Sequence, residues 1–156
     1  QEANGRPNLV GIEAVSFNLS HSADVAALAI SRDTRVGVDV EDIREIRSDE
    51  IERALSIAER LELAEAADAL QLETFFRFWT LKEAFMKGTG LGASLPLHDF
   101  DVSPAGPGLL RLKSAPTEPG RWRFDEFVPK PGIRAALAAR TDDRDLVVQW
   151  RWADFE

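Results

Sequence analysis

Alternation and helical spacing divide the chain into three stretches. Val15–Leu19 alternates apolar and polar residues and predicts a strand, which Ser20-His21-Ser22 interrupts. Val25–Ile30 is an unbroken apolar run suited to a buried strand. After the turn-like Arg32-Asp33-Thr34 comes a further strand over Arg35–Glu41, and the short polar break between the two runs predicts a hairpin.

Helical spacing follows. Ser48 is a candidate N-cap for a first helix, and Ser56-Ile-Ala-Glu59 matches the capping box that opens a second. A third is predicted over Gln71–Lys87, where Leu72, Phe75, Phe76, Trp79, Phe85 and Met86 recur at helical spacing. Gly88, Gly90 and Gly92 end it, and Pro96 prevents resumption. Five strands are expected beyond it: His98–Val102, Leu109–Lys113, Trp122–Phe127, Ile133–Ala139 and Leu146–Trp152. Pro/Gly clusters at 104–108, 116–120 and 129–132 separate them. Strands, then helices, then strands predict an α+β fold, an antiparallel sheet with helices packed on it.

Composition narrows this picture. The 156 residues are 44% hydrophobic, which is enough to bury a core, and cysteine is absent, which excludes disulfide scaffolds and thiolate metal sites. No apolar run approaches the roughly 18 residues of a membrane span, and Gln-Glu-Ala-Asn-Gly shows neither the basic nor the apolar region expected of a signal peptide. A cytoplasmic protein is expected. The first residue is not methionine, which suggests a fragment or a trimmed chain.

Charge adds a second constraint. The net charge is −8, and residues 41–73 alone hold 11 Asp and Glu against 4 Arg. Residues 74–98 are locally basic, with Arg77, Lys82 and Lys87 against Glu83. The broad basic face of a nucleic-acid binder is missing, whereas a small anionic ligand held by a few placed cations fits.

Three constellations could carry chemistry. In Gly37-Val-Asp-Val-Glu41, Val36, Val38 and Val40 face one way and Asp39 and Glu41 the other. Adjacent carboxylates repel unless a cation lies between them, and all-oxygen ligands suit Mg²⁺. A solvated acidic edge strand accounts for the pattern equally well. Trp79, Glu83 and Lys87 recur every four residues and form one helical stripe, which also describes an ordinary surface ion pair beside a core tryptophan. Ser20-His21-Ser22 could donate to a phosphate or be a plain turn. No G-x-S-x-G elbow supports a Ser-His-Asp hydrolase, and no P-loop, Rossmann or kinase signature supports another Mg²⁺-dependent nucleotide enzyme.

Taken in order, Gly5-Arg-Pro7, Phe17-Asn-Leu-Ser-His-Ser22, Gly37-Val-Asp-Val-Glu41, Phe78-Trp-Thr-Leu-Lys-Glu-Ala-Phe-Met-Lys87, Gly90-Leu-Gly and Ser94-Leu-Pro-Leu97 resemble the 4′-phosphopantetheinyl transferases. The resemblance is to the larger, pseudo-dimeric class. It implies Mg²⁺-dependent transfer of phosphopantetheine from coenzyme A to a serine of an apo acyl or peptidyl carrier protein, releasing adenosine 3′,5′-bisphosphate. By resemblance Asp39, Glu41 and Glu83 hold the metal, Glu83 is also the base, and Lys87 contacts the transferring phosphate. Arg6, Ser20 and His21 would hold coenzyme A phosphates, and Lys82 would add local positive charge.

The histidine motif lies late in the first lobe of that class. The resemblance therefore implies that residues 1–34 are a linker and the last strands of lobe one, and that residues 35–156 are lobe two. Strands at 15–30 would then have open edges and apolar surface, and self-association is expected. A non-catalytic fragment or binding module is the competing expectation.

Overall fold

The computed structural model describes residues 15–104, 110–112, 122–141 and 146–153. Among these residues seven strands and three α-helices follow in order: β1 Ser16–Ser22, β2 Val25–Ser31, β3 Val36–Asp42, α1 Ser48–Ala54, α2 Ile57–Glu65, α3 Gln71–Thr89, β4 Val102–Pro104, β5 Leu110–Leu112, β6 Trp122–Phe127 and β7 Ile133–Arg140. The α+β expectation agrees with this order.

The central sheet is antiparallel with strand order β3-β7-β6. Helix α3 covers one face. Phe75, Phe76, Phe78, Leu81 and Phe85 pack there against Trp122, Phe124, Ala136 and Ala138. Small residues on the central strand let the helix lie close. On the opposite face Val36, Val38, Leu137 and Ala139 pack against Ala29, with Leu146 and Val148 from the tail.

Strand β1 lies alongside the free edge of β3 without a backbone ladder. Ser16, Asn18, Ser20 and Ser22 accept through their side chains from the backbone N–H groups of Val36, Val38, Val40 and Asp42. Every partner pair is offset by 20 residues, so the two strands run parallel. This polar seam satisfies edge donors that would otherwise be unpaired.

Several expectations are corrected. Ser20-His21-Ser22 continues β1 and does not interrupt it. The hairpin joins β1 to β2 through Ala23, at φ 50°, and β2 does not pair with β3. Both long edges of β3 are taken, one by β7 and one by the side chains of β1. Val25–Ile30 is buried on one face only. Ala29 is inside, while Leu28 and Ile30 are 58% and 64% exposed. Nothing among the described residues packs on that outer face.

At α1 the cap is Arg47, one residue before Ser48, because the Glu50 carboxylate accepts from the Arg47 backbone N–H at 3.0 Å. Ser56 caps α2 with Glu59, as its capping box predicts. Helix α3 passes Gly88 and ends at Gly90, which adopts the left-handed conformation at φ 74°. His98 lies in a short 3₁₀ turn, and the strand after it starts only at Val102. The strand expected over Leu146–Trp152 is not formed. Residues 146–153 have no regular structure, and Trp150 stacks on Phe127 with ring centroids 4.5 Å apart. Among the described residues no helix is long and apolar enough to cross a membrane.

Candidate active site

The site begins with a missing side chain. A Cβ at Gly37 would stand 2.1 Å from the carbonyl oxygen of Ala84 and 2.3 Å from the nitrogen of Gly88. Glycine at 37 therefore allows α3 to touch the backbone of β3. The contact aligns two stripes. Gly37, Asp39 and Glu41 alternate along β3, and Trp79, Glu83 and Lys87 recur along α3. Lys87 Nζ donates to Asp39 Oδ1 at 2.6 Å, and Trp79 Nε1 donates to Glu41 Oε1 at 3.2 Å. Both sequence-predicted stripes thus meet, and the carboxylates do not form a solvated edge.

Asp39 is 2% exposed. Its Oδ1 accepts from Ser20 Oγ at 3.0 Å as well as from Lys87. Its Oδ2 is buried and has no hydrogen-bond partner among the described residues. Burial pushes the Asp39 carboxyl above the ordinary carboxylate range, and the Lys87 ammonium opposes the shift. Glu41 is raised by burial and then by Asp39. Glu83 is pushed up to about 7, first by burial and then by Asp39, with Lys87 opposing.

A further positive charge would relieve three strained carboxylates at once. Their oxygen-only chemistry and the orphaned Asp39 Oδ2 fit a hard divalent cation that takes one or two carboxylates and completes its shell with water and phosphate oxygens. A ready-made protein cage is not built: no three His, Asp or Glu side chains among the described residues stand close enough to hold a metal by themselves.

The other expected site residues fall into different places. Ser20 is buried, and its hydroxyl is engaged with Asp39, the Val40 N–H and Lys87. It faces the acid cluster beside Lys87. His21 alternates with Ser20 and Ser22 and is exposed on the opposite side of β1. Arg6 lies outside the described residues.

Lys82 is the clearest correction. It is 0% exposed and pairs with Glu59 on another side of α3, with its ammonium 4.9 Å from the Phe100 ring centre. Glu59 also accepts from the Ser56 and Val102 N–H groups. Burial lowers the Lys82 pKa and Glu59 opposes the change. This lysine locks α2 and the start of β4 to α3 and is not available to coenzyme A.

Ser22, expected as a phosphate donor or part of a turn, instead has carboxylate partners that sequence reasoning missed: its hydroxyl donates to Asp42 Oδ1 at 2.7 Å with Glu41 Oε2 at 3.3 Å. The period-two polar series Ser16, Asn18, Ser20, Ser22 was its signal. Trp79, expected in the core, also holds Glu41 through its indole N–H. A hollow of about 610 Å³ opens beside Trp79 and is lined by Arg44, Glu45, Arg47, Glu50 and Arg53.

Comparison with known proteins gives the same direction. The family model of the 4′-phosphopantetheinyl transferase superfamily matches residues 35–141, a span that includes Asp39, Glu41, Glu83 and Lys87. A 4′-phosphopantetheinyl transferase of Bacillus pumilus is 40% identical over 113 residues, 71% of this chain and 48% of the relative. The 4′-phosphopantetheinyl transferase HetI of Nostoc is 33% identical over 143 residues, 88% of this chain and 58% of the relative. The L-aminoadipate-semialdehyde dehydrogenase-phosphopantetheinyl transferase of Xenopus laevis is 34% identical, covering 86% of this chain and 51% of the relative. The chain therefore spans about half the length of the curated relatives it matches.

Among solved structures, a holo-(acyl-carrier-protein) synthase from Bacillus anthracis in complex with CoA (3′,5′-ADP) superposes with a TM-score of 0.59 at 18% identity. The superposition covers 69% of this chain and 96% of that one. The holo-[acyl-carrier-protein] synthase of Thermotoga maritima gives a TM-score of 0.54 at 20% identity, over 69% of this chain and 63% of that one. Both show that the fold is shared.

Proposed function

The chain belongs to the 4′-phosphopantetheinyl transferase superfamily, and from that premise we propose that it moves 4′-phosphopantetheine from coenzyme A to a serine of an apo acyl or peptidyl carrier protein, in the cytoplasm. The observation that carries this reading is the meeting of Asp39, Glu41, Glu83 and Lys87 where Gly37 lets α3 touch β3. Transfer of a phosphoryl-type group asks for positioning and charge neutralisation more than covalent chemistry, and this cluster is suited to both.

In the proposed reaction the Glu83 carboxylate takes the proton of the attacking serine hydroxyl. The serine oxygen bonds to the pantetheine-bearing phosphorus, and the bond from that phosphorus to the bridging oxygen breaks. Adenosine 3′,5′-bisphosphate leaves with the electron pair. Lys87 leaves Asp39 for the phosphate oxygens, with His21 and Arg6 serving other coenzyme A phosphates. Asp39, Glu41 and Glu83 would hold Mg²⁺ together with water and phosphate oxygens, and the ion would supply charge neutralisation at the pyrophosphate. We assign residues 1–34 to the end of a first lobe and residues 35–156 to a second. The start of the family match at residue 35 supports this division, as does the backbone pairing of β1 with β2 and with no other strand among the described residues.

The test is the intact mass of an apo carrier after incubation with this chain, coenzyme A and Mg²⁺. A gain of one phosphopantetheine, with adenosine 3′,5′-bisphosphate released, supports the reading. A second reading is favoured by the chain's spanning half the length of its relatives: a piece that keeps the motifs without turnover. It expects no saturable coenzyme A binding in a titration.

Glu83→Gln is expected to lower turnover by roughly 10²-fold, the usual worth of a positioned base. Its stability signature has a definite sign. A carboxyl raised from 4.5 to about 7 holds its proton more tightly in the folded chain than in the unfolded one. Its contribution to stability is present below 4.5 and is lost as pH rises towards about 7. The thermal midpoint of the metal-free chain should therefore fall over that interval by more than that of Glu83→Gln. Equal slopes would remove the assignment.

Self-association is proposed through the outer face of the β1–β2 hairpin, where Leu19, Leu28 and Ile30 are exposed. Light scattering should show oligomers that Leu28→Ser with Ile30→Ser reduces to monomer. A parent chain that is monomeric throughout would end this part of the proposal.

A further inference from the structure

Trp79 has two surfaces with different tasks. Its ring packs on Phe75, with centroids 5.8 Å apart, at the border of the main core. Its N–H leaves that core and donates to Glu41 Oε1 at 3.2 Å, across 38 residues of sequence. Core packing alone requires only a flat apolar ring, which phenylalanine supplies, so the N–H has a separate use.

Glu41 needs such a partner. It is half-buried beside Asp39, which repels it; the charge of Arg44 favours it, but no Lys or Arg among the described residues forms an ion pair with it as Lys87 does with Asp39. Its other oxygen, Oε2, is 3.3 Å from the Ser22 hydroxyl, but that proton has a nearer acceptor in Asp42 Oδ1 at 2.7 Å. The indole N–H is thus the undivided side-chain donor that fixes the Glu41 rotamer. Trp79 also stands one turn before Glu83 and two before Lys87, so the helix that carries those groups holds Glu41 in register with them.

Resting on the reading of Asp39, Glu41 and Glu83 as a divalent-cation site, we propose that Trp79 is a positioning residue. Its indole N–H holds Glu41 in the orientation in which this carboxylate meets the metal. Groups that orient a ligand from behind change metal affinity by about 10–100-fold when removed.

Trp79→Phe keeps the ring and removes the donor. Mn²⁺, a spectroscopic substitute for Mg²⁺, is titrated by calorimetry into the full chain, the variant, Glu41→Gln and the double variant, without substrate. The variant is expected to bind Mn²⁺ about 10-fold more weakly, with an unchanged KM for coenzyme A and turnover largely recovered at saturating Mg²⁺. In the Glu41→Gln background the same change should have little further effect, as coupled sites require. A purely structural role would instead shift the thermal midpoint equally in both backgrounds.

A second measurement needs no variant. The chain has 4 Trp residues, so its amide–indole spectrum holds four indole N–H signals. Trace Mn²⁺ should broaden one of them selectively. Parent and variant binding Mn²⁺ equally, or no indole signal responding while the parent binds Mn²⁺, overturns the role of Trp79 alone. A parent that binds no Mn²⁺ overturns the metal reading and this inference with it.

Discussion

Asp39→Ala is expected to abolish Mg²⁺-dependent transfer while the chain stays folded. The carboxylate is buried, is raised by that burial, and lies against Lys87 and Ser20. Removing one half of a buried ion pair usually costs about 3–5 kcal/mol, because the other charge is stranded without water. Here the remaining half is not stranded. The Lys87 side chain is 28% exposed and can turn to solvent or to Glu83. The change also relieves repulsion on Glu41 and Glu83, both of which are raised in part by Asp39. A net stability change within about 1 kcal/mol is expected from these opposed effects, against loss of a carboxylate proposed above as a metal ligand.

Lys82→Ala is the comparison that gives the first result its meaning. Both partners of the Lys82–Glu59 pair are buried, with side-chain exposures of 0% and 3%. Truncation there leaves a buried Glu59 charge uncompensated, and the full penalty of about 3–5 kcal/mol is expected. Denaturant unfolding together with the carrier mass assay separates the two lysine–carboxylate pairs. If Asp39→Ala unfolds the chain and Lys82→Ala does not, their roles have been exchanged.

Gly37→Ala is expected to be as damaging by a different route. The added methyl would meet the Ala84 oxygen at 2.1 Å, the Gly88 nitrogen at 2.3 Å and the Gly88 Cα at 2.8 Å, all of them backbone atoms. No side chain can rotate away, so α3 must retreat from β3 by about 1 Å. Overpacking of this kind costs about 1–3 kcal/mol, and more where the neighbour is rigid. The same retreat separates Glu83 and Lys87 from Asp39, and a displacement of about 1 Å can cost 10²-fold in rate. Gly88→Ala should be milder, because its methyl first meets the rim of the Trp122 ring at 2.7 Å, which is a side chain. Gly37→Ala unfolding at the parent's denaturant midpoint would show that the helix has room there.

Local periodicity determined much of this protein. A strand places Asp39 and Glu41 on one side, a helix places Trp79, Glu83 and Lys87 on one side, and both statements hold whatever the rest of the chain does. The Ser56–Glu59 box and the glycine end of α3 were legible for the same reason, since caps involve residues three or four apart. The family resemblance was also carried by short motifs in order.

What those faces meet was decided by the tertiary structure. Lys82 and Lys87 are the same residue type on one helix, five positions apart, yet one is a buried strut on Glu59 and the other lies on Asp39. Their separation around α3 becomes a difference in chemistry only once β3 packs on one side and α2 on another. The raised carboxyl of Glu83 likewise depends on burial and on two carboxylates more than 40 residues away in sequence. The inward turn of Ser20 towards Asp39 depends on β3 lying beside β1, and residues 146–153 pack through Leu146, Val148 and Trp150 without pairing as a strand. Contacts between distant segments fix these outcomes, and a local pattern contains no information about which of several compatible faces will be brought to it.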